Sequence, residues 1–139
     1  MRSVTSIRVI PEVGTMSLLV IKAYLKLIYF DFFLLRNNFS ALHERVRRCP
    51  NGLHEPAPDT TGKICSAVDM ACIWYPKPVL CLQRSAATAC LLKKYGVPAQ
   101  MIIGAQHMPF KAHAWVEVNG QVVNDKPYTR EIYAVLDRC

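Results

Sequence analysis

Cys81, His113 and Asp125 occur in that order in the second half of the chain. A thiol, an imidazole and a carboxylate are what a cysteine hydrolase or acyl transferase requires. The thiolate attacks an acyl carbon, the imidazole carries the proton, and the carboxylate orients the imidazole and stabilises its cation. Each residue also has a plainer reading. A cysteine beside Val79, Leu80 and Leu82 reads as a small core residue. A strand histidine is usually surface or core, and Asp125 before Lys126-Pro127 reads as a turn residue. Their weight comes from the elements that must position them.

Cys81 opens a helical pattern over residues 81–95, with Leu82, Ala86 and Ala89 on one stripe. The first N–H groups of a helix lack partners. With the helix dipole they favour a thiolate and can hold a developing oxyanion. The Cys81 N–H is one such donor, and Trp74 and Gln83 are candidates for a second. Lys93 and Lys94 complement the dipole at the other end, Gly96 is a natural C′ residue and Pro98 blocks continuation. Strands are expected at 99–104, 112–118 and 121–125, and a short helix at 129–137. Strand alternation puts His113, Trp115 and Glu117 on one face.

The turn at Asn119-Gly120 then decides whether His113 and Asp125 meet. A two-residue loop sets Ala114 against Asp125 and points His113 to the other face. A three-residue loop over Val118-Asn119-Gly120 sets His113 directly against Asp125. The catalytic reading therefore predicts the bulged, three-residue turn. His107, in the loop GAQHMPFKA, is a competing base that ranks below His113. Arg84 holds either an acidic group or neighbouring turns, and Phe110 and Trp115 are candidates for a cleft beside the base or for core.

Upstream, residues 5–10 read as a short strand or a ragged start. Residues 16–48 read as helix, broken near Asn37-Asn38, with Ser40 as N-cap of the second piece. Pro50, Asn51, Gly52, Pro56 and Pro58 mark a loop, and residues 62–74 form a helical pattern with Ile64, Val68 and Cys72 spaced by four. The apolar run 16–35 contains Lys22, Lys26 and Asp31, each costing about 2.5–3.5 kcal/mol at a bilayer centre. A core helix packed on both sides is favoured over an interfacial helix, and that over a membrane span. Helices followed by an antiparallel meander make an α+β layout. The expected division is a helical segment, 1–58, packed on a core, 59–139, in one compact domain.

The 139 residues carry a net charge of +7. The excess is spread over both halves, apart from Arg45, Arg47 and Arg48. It fits a solvated face or attraction to an acidic peptide or protein, and no motif points to nucleic acid. Six cysteines occur, without a C-x-x-C pair or a histidine at ligand spacing, so no metal site or cofactor is expected. A chain long enough to fold without staples and lacking a secretory signal favours reduced thiols and a cytoplasmic setting.

A set of motifs sharpens this reading: Cys81-Leu82-x-Arg84-Ser85, Gly96-Val97-Pro98-Ala99, Ile102-Ile103-Gly104, Pro109-Phe110-x-Ala112-His113-Ala114-Trp115-Val116-Glu117 and Val123-Asn124-Asp125. Together they resemble the lasso peptide B2 proteins, leader peptidases of the transglutaminase-like (papain-like) cysteine protease superfamily. The resemblance covers about residues 60–126. It implies a catalytic triad of Cys81, His113 and Asp125 that cleaves a ribosomally made precursor peptide at the leader–core junction through a thioester. It implies two further partners, a separate leader-binding protein and an ATP-dependent lasso cyclase, because the first 58 residues read as helix rather than as a winged-helix leader-recognition domain. Two other readings share these residues: amine transfer of transglutaminase type, and a non-catalytic scaffold joining the leader-binding protein to the cyclase. Membrane contact by the apolar N-terminal helix is disfavoured.

Overall fold

The longest element, α1 (Arg2–Leu35), is followed by α2 (Phe39–Arg47), α3 (Thr60–Trp74) and α4 (Cys81–Lys94). Strands β1 (Ala99–Gln106), β2 (Lys111–Val118) and β3 (Gln121–Val122), a short α5 (Thr129–Ile132) and β4 (Ala134–Arg138) complete the chain. This is a computed structural model. It describes residues 2–139, with side chains from Gly14 onward except Thr15. The layout is α+β: a helical layer against one antiparallel sheet of order β3-β2-β1-β4.

Helix α4 is the axis of the core. Every residue from Gln83 to Lys93 is buried except Arg84. Its alanines, Ser85, Thr88 and Cys90 are small on all sides, so α1, α3 and the sheet can all approach closely. The single apolar stripe expected for this helix therefore underestimates its burial. Leu27 and Phe30 of α1, Ile64 and Val68 of α3, and Met101 and Val116 of the sheet close around it.

Residues 5–10 fall within α1 rather than in a strand. The break at Asn37-Asn38 is as expected. Asn37 takes a left-handed conformation (φ 52°), and its N–H and that of Asn38 donate to the carbonyls of Leu34 and Phe33. Asn38, not Ser40, caps α2: its side-chain oxygen accepts from the Ala41 N–H at 3.3 Å. Asparagine does both jobs because it tolerates the left-handed region nearby and carries the capping oxygen.

Helix α1 departs from its expectation. It buries one face, Leu19, Ala23, Leu27 and Phe30, and leaves the other exposed. It is a core helix on one side only. Among the described residues no helix is long and apolar enough to cross a membrane.

Two further expectations fail. Cys49 and Cys90 form a disulfide, joining the end of α2 to α4, where reduced thiols were favoured. The tail is not one helix: only Thr129–Ile132 is helical, and β4 pairs antiparallel with β1 as an edge strand. All five β4 residues are exposed, so no alternation marked them as a strand, and a short apolar run does not distinguish strand from helix.

Candidate active site

Asn119 (φ 52°) and Gly120 (φ 79°) form a two-residue turn of the type that matches strand twist. Val118 pairs with Gln121 and Glu117 with Val122. The three-residue bulged turn required by the catalytic reading is absent. His113 and Asp125 nevertheless meet: His113 Nε2 and Asp125 Oδ2 share a hydrogen bond.

The reason is a break in the ladder just past β3. The Val123 N–H still donates to the Val116 carbonyl at 3.0 Å. Next in line, the Val116 N–H donates to the side chain of Asn124, at 2.7 Å from Oδ1. An asparagine side chain takes over a backbone pairing, so the chain leaves the strand at Asn124. Asp125 is released from strand alternation and turns back to His113. The expected geometry counted residues along an unbroken strand, and the strand ends too early for that count to apply.

Asn124 also ties this corner to α4. Its Nδ2 donates to Ser85 Oγ at 3.1 Å, and Ser85 Oγ donates to the Ala114 carbonyl at 3.0 Å. Arg84 Nη2 donates to the Asn124 carbonyl and pairs with Asp69 of α3 at 3.3 Å. Arg84 thus braces turns of the fold. Cys81 lies one helical turn before Ser85, on the same side of α4. The Ser85–Ala114 and Ser85–Asn124 bonds bring the N-terminal end of α4 against the neighbours of His113 and Asp125. Among the described residues no hydrogen bond joins the Cys81 thiol to His113.

An ionised Asp125 only accepts hydrogen bonds, so Nε2 carries a proton and Nδ1 is the free imidazole nitrogen. Burial pushes the Asp125 carboxyl up, but hydrogen bonds from His113 and the Lys126 N–H outweigh it and hold it below the ordinary carboxylate range. The His113 ring lies 5.1 Å from Tyr133 and 6.1 Å from Trp115, centroid to centroid. Trp115 is fully buried and is core, not cleft. Its ring fits because Gly104, opposite His113 in register, has no side chain: a Cβ there would approach the ring to 2.7 Å. Glu117, buried beyond it, accepts from Trp115 Nε1 at 2.9 Å and pairs with Arg130 and Arg138, both at 3.3 Å. That network ties the chain on either side of Tyr133 to β2.

Of the four free cysteines, Cys81 is the exposed one. Burial pushes the Cys65 thiol up to about 11, with Asp69 adding to it, and the Cys139 thiol likewise to about 11. Burial also raises Cys72. No side chain caps α4 at Leu80, so the first N–H groups of the helix are left open. Gln83 is not a second oxyanion donor, because it is buried with its amide committed to the Leu27 carbonyl at 2.8 Å. Trp74 and Phe110 are both largely exposed, at 72% and 73%. His107 sits in the exposed turn between β1 and β2. Among the described residues, no group of three or more His, Cys, Asp or Glu could hold a metal ion.

Ser85, Asn124 and Tyr133 also position this corner, and none of the three stands out in the sequence as doing so. Ser85 and Asn124 stood inside the quoted motifs, but only the broken strand shows why they are needed. Nothing in the sequence pointed Tyr133 at His113.

Comparison with known proteins places the chain by its sequence. Over 56 residues, 40% of this chain, the sequence is 41% identical to the microcin J25-processing protein of Escherichia coli. The match spans 27% of that relative's length. No solved structure matches. A family model described as the transglutaminase-like superfamily matches residues 25–138, beginning within α1. Both matches bear out the resemblance to lasso peptide B2 proteins, over part of the relative's length. With the family model covering most of its residues, the chain belongs to the transglutaminase-like superfamily.

Proposed function

We propose that the protein is a cysteine peptidase that removes the leader from a lasso precursor peptide, with Cys81 as nucleophile, His113 as base and Asp125 as orienting carboxylate. The hydrogen bond between His113 Nε2 and Asp125 carries this reading, because it leaves Nδ1 free to exchange a proton with a thiol. Exposed Cys81 at the open end of α4 supports it, as does the likeness to a peptide-processing protein.

In the proposed reaction His113 Nδ1 takes the thiol proton and Cys81 Sγ attacks the carbonyl carbon at the leader–core junction. The open N–H groups at the start of α4 stabilise the oxyanion. Collapse forms the leader thioester, and the core amine leaves with the proton from His113. Water, deprotonated by His113, then attacks the thioester and releases the leader acid and the thiol. The domain reading accompanies the proposal: the N-terminal helices pack on a protease core to which they supply part of the interior.

The experiment is mass spectrometry of precursor incubated with the protein, a leader-binding protein and a lasso cyclase. With ATP withheld, so that the cyclase does not consume the new amine, a leader of free-acid mass and a free core amine are expected. A leader carrying an added amine would instead show transfer. Cleavage undiminished in Cys81→Ala would overturn the catalytic assignment.

A further inference from the structure

The exposed side of α1 carries Leu18, Ile21, Leu25, Ile28, Phe32 and Leu35, spaced alternately by three and four and each 48–70% exposed. Two apolar positions per heptad are the pattern of a helix–helix seam. At 1.5 Å per residue it runs for about 26 Å. The opposite face of the same helix already fills the core, so this stripe is not explained by the fold.

Beside the stripe lies a groove of about 230 Å³ lined by Lys22, Leu25, Lys26, Tyr29, Leu91 and Lys94. Three of these six residues are ammonium-bearing and none is acidic. Lys22 donates to the Tyr95 hydroxyl at 2.8 Å and Lys26 stands over the Tyr29 ring. Partial burial and the nearby Lys94 push the Lys26 ammonium down. Asp31, the acid of α1 whose side chain is described, is engaged elsewhere, by Tyr75 at 2.7 Å and Lys77 at 2.9 Å. Arg36 adds a further cation at the end of the stripe, over the Phe32 ring.

We propose that this face of α1 docks an amphipathic helix of another protein, with its apolar seam on the Leu18–Leu35 stripe and an acidic side chain in the Lys22–Lys26–Lys94 groove. Charge selects this occupant. A second copy of the chain would set lysines and Arg36 against lysines and Arg36. An anionic membrane is a poorer fit, because an interfacial helix buries a broader apolar face than two positions per heptad. The three ammonium groups also gather in one groove instead of lining both edges of the stripe.

The test uses the full chain and a synthetic helical peptide with leucine at its seam positions and glutamate at the flanking ones, whose own pairing like charges oppose. Its twin carries lysine at the flanking positions. By fluorescence anisotropy the glutamate peptide is expected to bind at least about tenfold tighter than the twin, a difference of about 1.4 kcal/mol. Lys26→Glu should erase that preference, and Leu25→Ser with Ile28→Ser should abolish binding of both peptides while circular dichroism shows an unchanged fold. Equal binding of the two peptides, or binding of neither, overturns the proposal. So does self-association by sedimentation that the double variant abolishes, and so does flotation with vesicles of phosphatidylglycerol and phosphatidylcholine in preference to the peptide.

Discussion

The C-terminal end of α4 is fastened by a disulfide from Cys90 to Cys49, by Lys93 Nζ donating to the Val46 carbonyl at 2.8 Å, and by Gly96 in a left-handed turn. The N-terminal end has no side-chain cap, an exposed cysteine, and three polar ties: Gln83 to α1, Ser85 to β2 and Arg84 to the chain before Asp125. One end is locked by covalent and buried bonds. The other is held from the sides while its tip stays open. A helix that presents a nucleophile needs both, since capping the tip would consume the N–H groups that an oxyanion requires. A tip with no lateral ties would leave a nucleophilic thiol adrift from any base.

That contrast is broken most severely at the open tip. Cys81→Ala should lower leader cleavage by at least about a thousandfold. The melting temperature should hardly move, because the side chain is exposed. Asp125→Asn should lower kcat by about a hundredfold or more, since the amide no longer holds His113 in one tautomer. Both effects are read from precursor cleavage rates, with thermal melts as the control.

The lateral ties come next. Asn124→Ala strips the partner from the buried Val116 N–H and from Ser85. Urea denaturation should show a loss of about 1–3 kcal/mol. The folded fraction should also lose cleavage activity, because Asp125 is no longer turned toward His113. At the locked end, Cys49→Ala with Cys90→Ala should cost about 2–4 kcal/mol of stability. Its cleavage rate per folded molecule should match the parent, which is what separates the two ends.

The smallest effect is on acid stability. Asp125 is held below its ordinary value, so its pairing stabilises the fold above about pH 4. That contribution is lost as pH falls through the lowered folded value. Asp125→Asn should flatten this limb of the stability–pH curve, and an unchanged limb would show that the pair is not formed in solution.

Much of this is legible in the sequence. Helix α4 announces itself through Gly96, Pro98 and its terminal lysines, and β2 through its alternation. The order of Cys81, His113 and Asp125 identifies the candidate chemistry. What could not be read is how the last two meet. Turn rules foresee register while a strand continues, and here Asn124 ends it with its own side chain. The strand β4 was hidden because an edge exposed on both faces shows no period. The disulfide was hidden because Cys49 and Cys90 are brought together only by the packing of α2 on α4. The apolar run of α1 reads as packed on both sides, since composition alone does not distinguish a second buried face from an unpartnered one.

If the proposed function holds, Cys81, His113 and Asp125 act as one unit at the open end of α4. Alkylation by iodoacetamide, followed cysteine by cysteine with peptide mass spectrometry at neutral pH, tests it without any partner protein. Cys81 is expected to be modified first among the four free thiols, and His113→Ala to slow that modification by at least about tenfold while leaving Cys65, Cys72 and Cys139 unchanged. Cys81 reacting at the same rate with and without His113 would contradict it.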